Sequence, residues 1–184
     1  MDAKKKILLG VTGSIAAYRA LDLITALRDA GYAVRVVMTK DAHHFVTPLS
    51  LQSMAASEVV TDFFTVPGRI KPIHIELAQE SDVVLVAPAS ADILAKFSHG
   101  LADDVLSCTV LATDAPLVIV PAMNEKMYTN PFVQENLERL KKHGTTVVPP
   151  IVGHMVCSGQ GVGHIADNKT ILEAVKTALA KKRG

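Results

Sequence analysis

Apolar residues along this chain fall into two rhythms that take turns. Short, mainly aliphatic runs recur at Ile7–Val11, Ala33–Met38, Val83–Val86, Leu117–Val120 and Thr145–Val148. Runs of this length without in-and-out alternation read as strands of a parallel sheet buried on both faces. Between them the spacing turns helical. Ala17, Leu21, Ile24 and Leu27 share one face of a helix that Ser14 can cap and that ends near Gly31. Further helices are expected from Pro48 through Ala55, over Ile93–His99 with Ile93, Leu94 and Phe97 inward, from Asp104 to Thr113, over Phe132–His143, and over Lys169–Lys182. Strands alternating with helices predict one α/β domain over residues 1–184, with an open parallel sheet covered on both faces.

The strand ends carry the chemistry. Val83–Val86 runs into Pro88, Ala89, Ser90, Ala91 and Asp92; Leu117–Val120 runs into Pro121, Ala122, Met123 and Asn124. Ligands bind at the carboxyl ends of strands in open α/β sheets, so the two turns are expected to share a crevice. The first strand leads into Thr12, Gly13, Ser14 and Ile15, a glycine turn before a helix start that suits an anion. The dinucleotide fingerprint needs three spaced glycines and only Gly10 and Gly13 are present, which favours a mononucleotide over NAD. Thr39, at the end of the second strand, can bond a phosphate or ribityl group or simply cap a helix.

Two stretches break both rhythms. Glu58–Ile73 reads as a long irregular loop that delivers His74 to a short helix start; its spacing alone suits a structural or surface histidine. Ile151–Asp167 holds four glycines, His154, His164 and Cys157, and reads as a lid over a ligand. Adjacent His43 and His44 point in different directions and do not make a metal pair, while Phe45 can wall a pocket. Asp103 and Asp104 suit the positive end of the following helix, and Cys108 in that helix reads as an inert buried thiol.

Composition narrows the field. With 19 Lys+Arg against 18 Asp+Glu a basic face for nucleic acid is not expected. No apolar run reaches membrane-spanning length, and Met1–Lys6 leads into a strand instead of a signal sequence. Cys108 and Cys157 lie far apart and outside any metal-ligand spacing, so no metal is expected. Free thiols suit a cytoplasmic protein.

Gly13-Ser14-Ile15-Ala16-Ala17, His74-Ile75-Glu76-Leu77-Ala78, Pro88-Ala89-Ser90-Ala91, Pro121-Ala122-Met123-Asn124 with Met127, and the glycine-rich Cys157 segment occur in one order. From about Lys5 to Asp167 the chain resembles the flavin-dependent cysteine decarboxylases, in particular the branch that serves coenzyme A synthesis. The resemblance implies a flavodoxin/Rossmann-like sheet and FMN held by Gly13, Ser14, Ile15, Thr39, Pro88, Ala89, Ser90, Ala91 and Met123. It implies His74 as catalytic base, Asn124 on the substrate carboxylate with Phe45 and Met127 beside it, and Cys157 as proton donor under the lid. The reaction it implies removes hydride from the cysteine side chain, loses CO2 from the thioaldehyde, and returns hydride and a proton to the ene-thiolate. Retention of Cys157 points to 4′-phosphopantothenoylcysteine over a peptide whose cysteine stops at the ene-thiol. A non-catalytic FMN electron carrier is the other alternative. The implied partners are a homo-oligomer, a trimer or a multiple of one, and a separate phosphopantothenoylcysteine synthetase. Two departures stand out: Asp92 where the family commonly has asparagine, and Ser158 after Cys157 where glycine is common.

Overall fold

A computed structural model describes residues 4–63, 71–155 and 159–181, with 154, 155, 159 and 160 described by backbone alone. Six strands make one parallel sheet: β1 (Lys6–Val11), β2 (Ala33–Met38), β3 (Val59–Val60), β4 (Val83–Ala89), β5 (Leu117–Pro121) and β6 (Thr146–Val147). Their spatial order is β3-β2-β1-β4-β5-β6. The chain winds outward from β1, then crosses back to lay β4 beside it. That reversal opens a crevice outside the carboxyl ends of β1 and β4. The expected doubly wound sheet is therefore present, in the dinucleotide-fold order.

Burial on both faces explains why the strand runs lack alternation. Along β4, Val83, Leu85 and Ala87 pack on one side and Val84, Val86 and Ala89 on the other. The first side is covered by α1 (Arg19–Asp29), α2 (Pro48–Ala55) and α8 (Asn168–Ala180), through Leu23, Leu27, Leu51, Ile171 and Val175. The second is covered by α3 (Ile73–Glu80), α4 (Ala91–His99), α5 (Val105–Ala112) and α7 (Pro131–Lys142), through Leu77, Ile93, Leu94, Leu106 and Leu140. Each such side chain contributes about 1.5–3 kcal/mol when fully buried. Among the described residues no helix is long and apolar enough to cross a membrane.

Several expectations are corrected. The helix capped by Ser14 begins as a 3-10 turn over Ile15–Tyr18 before α1 takes over. The loop from Glu58 contains the edge strand β3, and His74 sits in the first turn of a two-turn helix, α3. A pair of valines is too short for any periodicity to reveal. Ile151–Asp167 is not irregular: β7 (Ile151–Met155) and β8 (Gly159–His164) form an antiparallel ribbon of their own. Glycines stand where a strand normally shows branched side chains, which hid it. Cys108 is half-buried, its thiol donating to the Ala102 carbonyl at 3.3 Å. Burial first, then the Asp104 and Asp103 carboxylates, push that thiol's pKa up, so it does hold its proton.

Asp92 and the Asp103-Asp104 pair share one cation. Lys96 Nζ lies 3.4 Å from Asp92, 3.0 Å from Asp103 and 3.5 Å from Asp104. Asp104 also caps α5 in a reciprocal box with Ser107. Burial alone would lower the Lys96 pKa; the Asp103 hydrogen bond and the three carboxylates outweigh it and raise it to about 12. Asp103 in turn is lowered, chiefly by its bond to Lys96. The stabilisation that these shifts report is complete at neutral pH. It is lost at the acid end as pH falls through the lowered Asp103 value, and at the alkaline end as pH rises through about 12. Lys96→Met should therefore lower the urea midpoint at about pH 7, and the deficit should shrink at about pH 2.5, below the ordinary carboxylate range, as the carboxylates protonate. An equal deficit at both values would show that lost packing, and not charge, is responsible.

Candidate functional site

Thr12, the residue after β1, ties the two central strands together at their carboxyl ends. Its buried hydroxyl donates to the Pro88 carbonyl at 2.7 Å and accepts the Ser90 N–H at 2.9 Å. The next residue has to be glycine. A Cβ on Gly13 would stand 2.7 Å from the Asp41 Cβ, in the 3-10 turn Lys40–His44 that follows β2. Ser14 completes the corner: its hydroxyl donates to the Ala122 carbonyl at 3.1 Å and accepts the Ala16 N–H at 3.3 Å. The ends of β1, β4 and β5 are thus locked to one another by two hydroxyls.

Over this corner lies a cavity of about 320 Å³. One wall is Gly13, Ser14, Ile15, Tyr18 and Arg19; a second is Ser90 and Ala91; a third is Ala122, Met123, Asn124 and Met127. Gly163, His164 and Ile165, at the end of the ribbon, close the remaining side. Asn124 caps α6 (Glu125–Tyr128), its Oδ1 accepting the Lys126 N–H at 2.9 Å. With that oxygen engaged, what remains of the amide is its pair of N–H donors, which suit a carboxylate. His164 donates Nδ1–H to the Ile165 carbonyl at 3.0 Å.

The electrostatics of the cavity favour an anion. Arg19 lines it, and its Nε is buried without a hydrogen-bond partner. A buried donor left unsatisfied costs about 1–3 kcal/mol, more for a charged group. Among the described lining residues there is no Asp or Glu to neutralise it. The amino ends of the 3-10 turn and of α4, both at the rim, add partial positive charge. Among the described residues no cluster of His, Cys, Asp and Glu is placed to hold a metal.

The structure brings Gly13, Ser14, Ile15, Ser90, Ala91, Met123, Asn124 and Met127 together in this cavity. Pro88 and Ala89 lie one layer behind it, buried at the end of β4; the Pro88 carbonyl serves Thr12 and the Ala89 carbonyl accepts the Ala122 N–H at 3.2 Å. Thr39, Phe45 and His74 do not line it. Thr39 begins its 3-10 turn without a side-chain cap bond, and Phe45 is 44% exposed. His74 stands edge-on to Phe63 with ring centroids 5.7 Å apart, and its Nδ1 is buried with no partner. Cys157 lies outside the described residues. Sequence reasoning passed over Thr12, Tyr18 and Arg19. The signal for Thr12 was a hydroxyl directly after a buried strand; the signal for Arg19 was a lone cation in the first turn behind a glycine corner.

The Flavoprotein family profile matches residues 1–180. The chain belongs to the flavoprotein family. It is 42% identical over 165 residues to the coenzyme A biosynthesis bifunctional protein CoaBC of Vibrio vulnificus, covering 90% of this chain and 41% of that protein. The chain therefore spans less than half the length of that relative. A probable phosphopantothenoylcysteine decarboxylase of Streptococcus mutans is 41% identical over 177 residues, 95% of this chain and 99% of that one. Among solved structures, a cysteine-to-serine mutant of a PPC decarboxylase complexed with pantothenoylaminoethenethiol superposes with a TM-score of 0.86 at 34% identity, covering 95% of this chain and 98% of that one. The FMN-dependent cysteine decarboxylase SpaF gives 0.85 at 34% identity, covering 97% and 99%. A flavin fits the residues present: a glycine corner at a helical start for its phosphate, an orphaned guanidinium, and small residues at Ala91 and Ala122 that leave room for a flat ring.

If the Thr12 bridge holds the corner, Thr12→Val should cost about 2 kcal/mol, because two buried polar groups lose their partner at unchanged side-chain volume. Urea unfolding and flavin retention measured together test this. A variant that keeps both wild-type stability and wild-type flavin affinity would show that the bridge is dispensable.

Proposed function

We propose that this chain is a cytoplasmic, FMN-dependent carboxy-lyase that converts 4′-phosphopantothenoylcysteine to 4′-phosphopantetheine in coenzyme A synthesis. One observation carries the reading: a single cavity combines the glycine corner, the donor pair of Asn124 and the unpartnered guanidinium of Arg19. A non-catalytic electron carrier has no use for a carboxylate-binding amide beside its flavin. The substrate class follows the chain-length relative, named as a probable phosphopantothenoylcysteine decarboxylase. The bifunctional relatives support a synthetase as the pathway partner.

FMN, when bound, supplies the acceptor and donor of hydride. The chain's own residues do the rest. The Gly13–Ile15 corner holds the anionic end of the cofactor and Arg19 adds charge. Asn124 donates to the substrate carboxylate and fixes it for loss of CO2. Met123 and Met127 cover the apolar part of the substrate and keep water away from it. Cys157 is the proton donor that leads to a saturated thiol.

His74 is the base, and it reaches the cavity of a second copy. Its unpartnered ring nitrogen and its place outside the cavity of its own chain both support this. Thr39 and Phe45 fit the same arrangement, flanking the 3-10 turn after β2 and standing away from the cavity lining. A homotrimer, in which each site is closed by a neighbour, is the assembly proposed.

Single-turnover CO2 release separates the possibilities. Phosphopantothenoylcysteine should release one CO2 per flavin and a cysteine-ended peptide should not; the reverse would assign a peptidyl-cysteine decarboxylase, and no release from either a carrier. His74→Asn should keep FMN and its oligomeric state while losing decarboxylation by about 10²–10⁴-fold, the usual contribution of a general base. Near-normal turnover would remove His74 from the site.

A further inference from the structure

Two polar contacts join strand β8 of the β7–β8 ribbon to the Asn124 turn. The Met123 N–H donates to the Gly163 carbonyl at 3.1 Å. The Glu125 Oε1, two residues further on, accepts the Val162 N–H at 3.3 Å. Gly161 is shaped to this contact: a Cβ there would stand 2.8 Å from Glu125 Oε2. The carboxylate thus lies flat against the backbone of β8, immediately before the residues Gly163, His164 and Ile165 that wall the cavity. The same Glu125 opens α6, the turn whose cap is Asn124.

We propose that Glu125 is a positioning residue that latches strand β8 onto the Asn124 turn and so holds the Gly163–Ile165 wall of the cavity against the substrate. Among the described residues the ribbon's strands pair only with each other and not with the main sheet, so its pose depends on such attachments. A carboxylate accepting a backbone N–H makes a stronger bond than a neutral acceptor does. The wall and the carboxylate-binding amide then move as one unit, because a single residue is joined to both. The kinetic consequence rests on the decarboxylase reading above; the latch itself does not.

Hydrogen exchange at the Val162 amide and steady-state kinetics with phosphopantothenoylcysteine, both on FMN-loaded protein, test the latch in Glu125→Ala and Glu125→Gln. In Glu125→Ala the Val162 amide should exchange about tenfold faster and KM should rise about tenfold, near the low end of what a bond to a charged acceptor is worth. Its kcat should stay within about twofold and its flavin content unchanged, since the lost bond acts on binding. Glu125→Gln retains an acceptor oxygen and should rescue most of both effects. Unchanged Val162 exchange in Glu125→Ala would overturn the latch, as would a glutamine variant no better than alanine. Faster exchange with wild-type KM would overturn the positioning role. Absence of turnover in the wild-type protein would sink the decarboxylase reading, while the exchange arm would still decide the latch.

Discussion

A single hydroxyl carries much of the order at the carboxyl end of the sheet. Thr12 follows β1, and by donating to Pro88 and accepting from Ser90 it fixes how far β4 runs before its chain turns away. Two consequences stem from that distance. Ser90 is delivered to the amino end of α4, where it accepts the Ile93 N–H at 3.3 Å, and Gly13 is delivered against Asp41. The bond is buried, so its loss is not made good by water, and the crevice inherits its shape from it.

The cavity has a chemical direction. Its floor is the ends of strands whose side chains are packed on both faces, and these offer nothing that titrates. Polar groups stand on the rim, on turns and helix starts, where Ser14, Ser90 and Asn124 each spend an oxygen on capping. At Ser90 and Asn124 the capping oxygen is an acceptor in use and the donors are left for a ligand, whereas the Ser14 hydrogen is already given to the Ala122 carbonyl. A surface of spare donors with a guanidinium and no acid prefers ligands rich in phosphate and carboxylate oxygens.

How much of this could be read from the residues depended on the length of the pattern. Leu85 and its neighbours announced a central strand because burial on two faces leaves an unbroken aliphatic run. The crevice was legible for the same reason: Pro88 and Pro121 marked where two such runs stop. The short edge strand at Val59 offered too few residues for a period, and the β7–β8 ribbon hid behind Gly153, Gly161 and Gly163. Gly153 and Gly161 serve close approach to His164 and Glu125, a tertiary requirement that a strand propensity does not encode. Thr12 and Arg19 escaped notice for a related reason: their partners are contributed by β4 and by a ligand-shaped space, both distant along the chain. That His74 does not line its own chain's cavity was equally beyond a linear reading, since spacing does not say where a loop places a side chain.

Both margins of the main sheet end in strands of two residues, Val59–Val60 on one side and Thr146–Val147 on the other. A margin this short exposes almost no ladder of unpaired N–H and C=O groups, and the proline pair Pro149-Pro150 follows one residue after one of them. During synthesis, when many copies emerge close together, the margins of the main sheet offer hardly any template on which a stray strand can grow. What the main sheet turns outward there is mostly turns and side chains, and little of the open backbone to which a strand of any sequence can add.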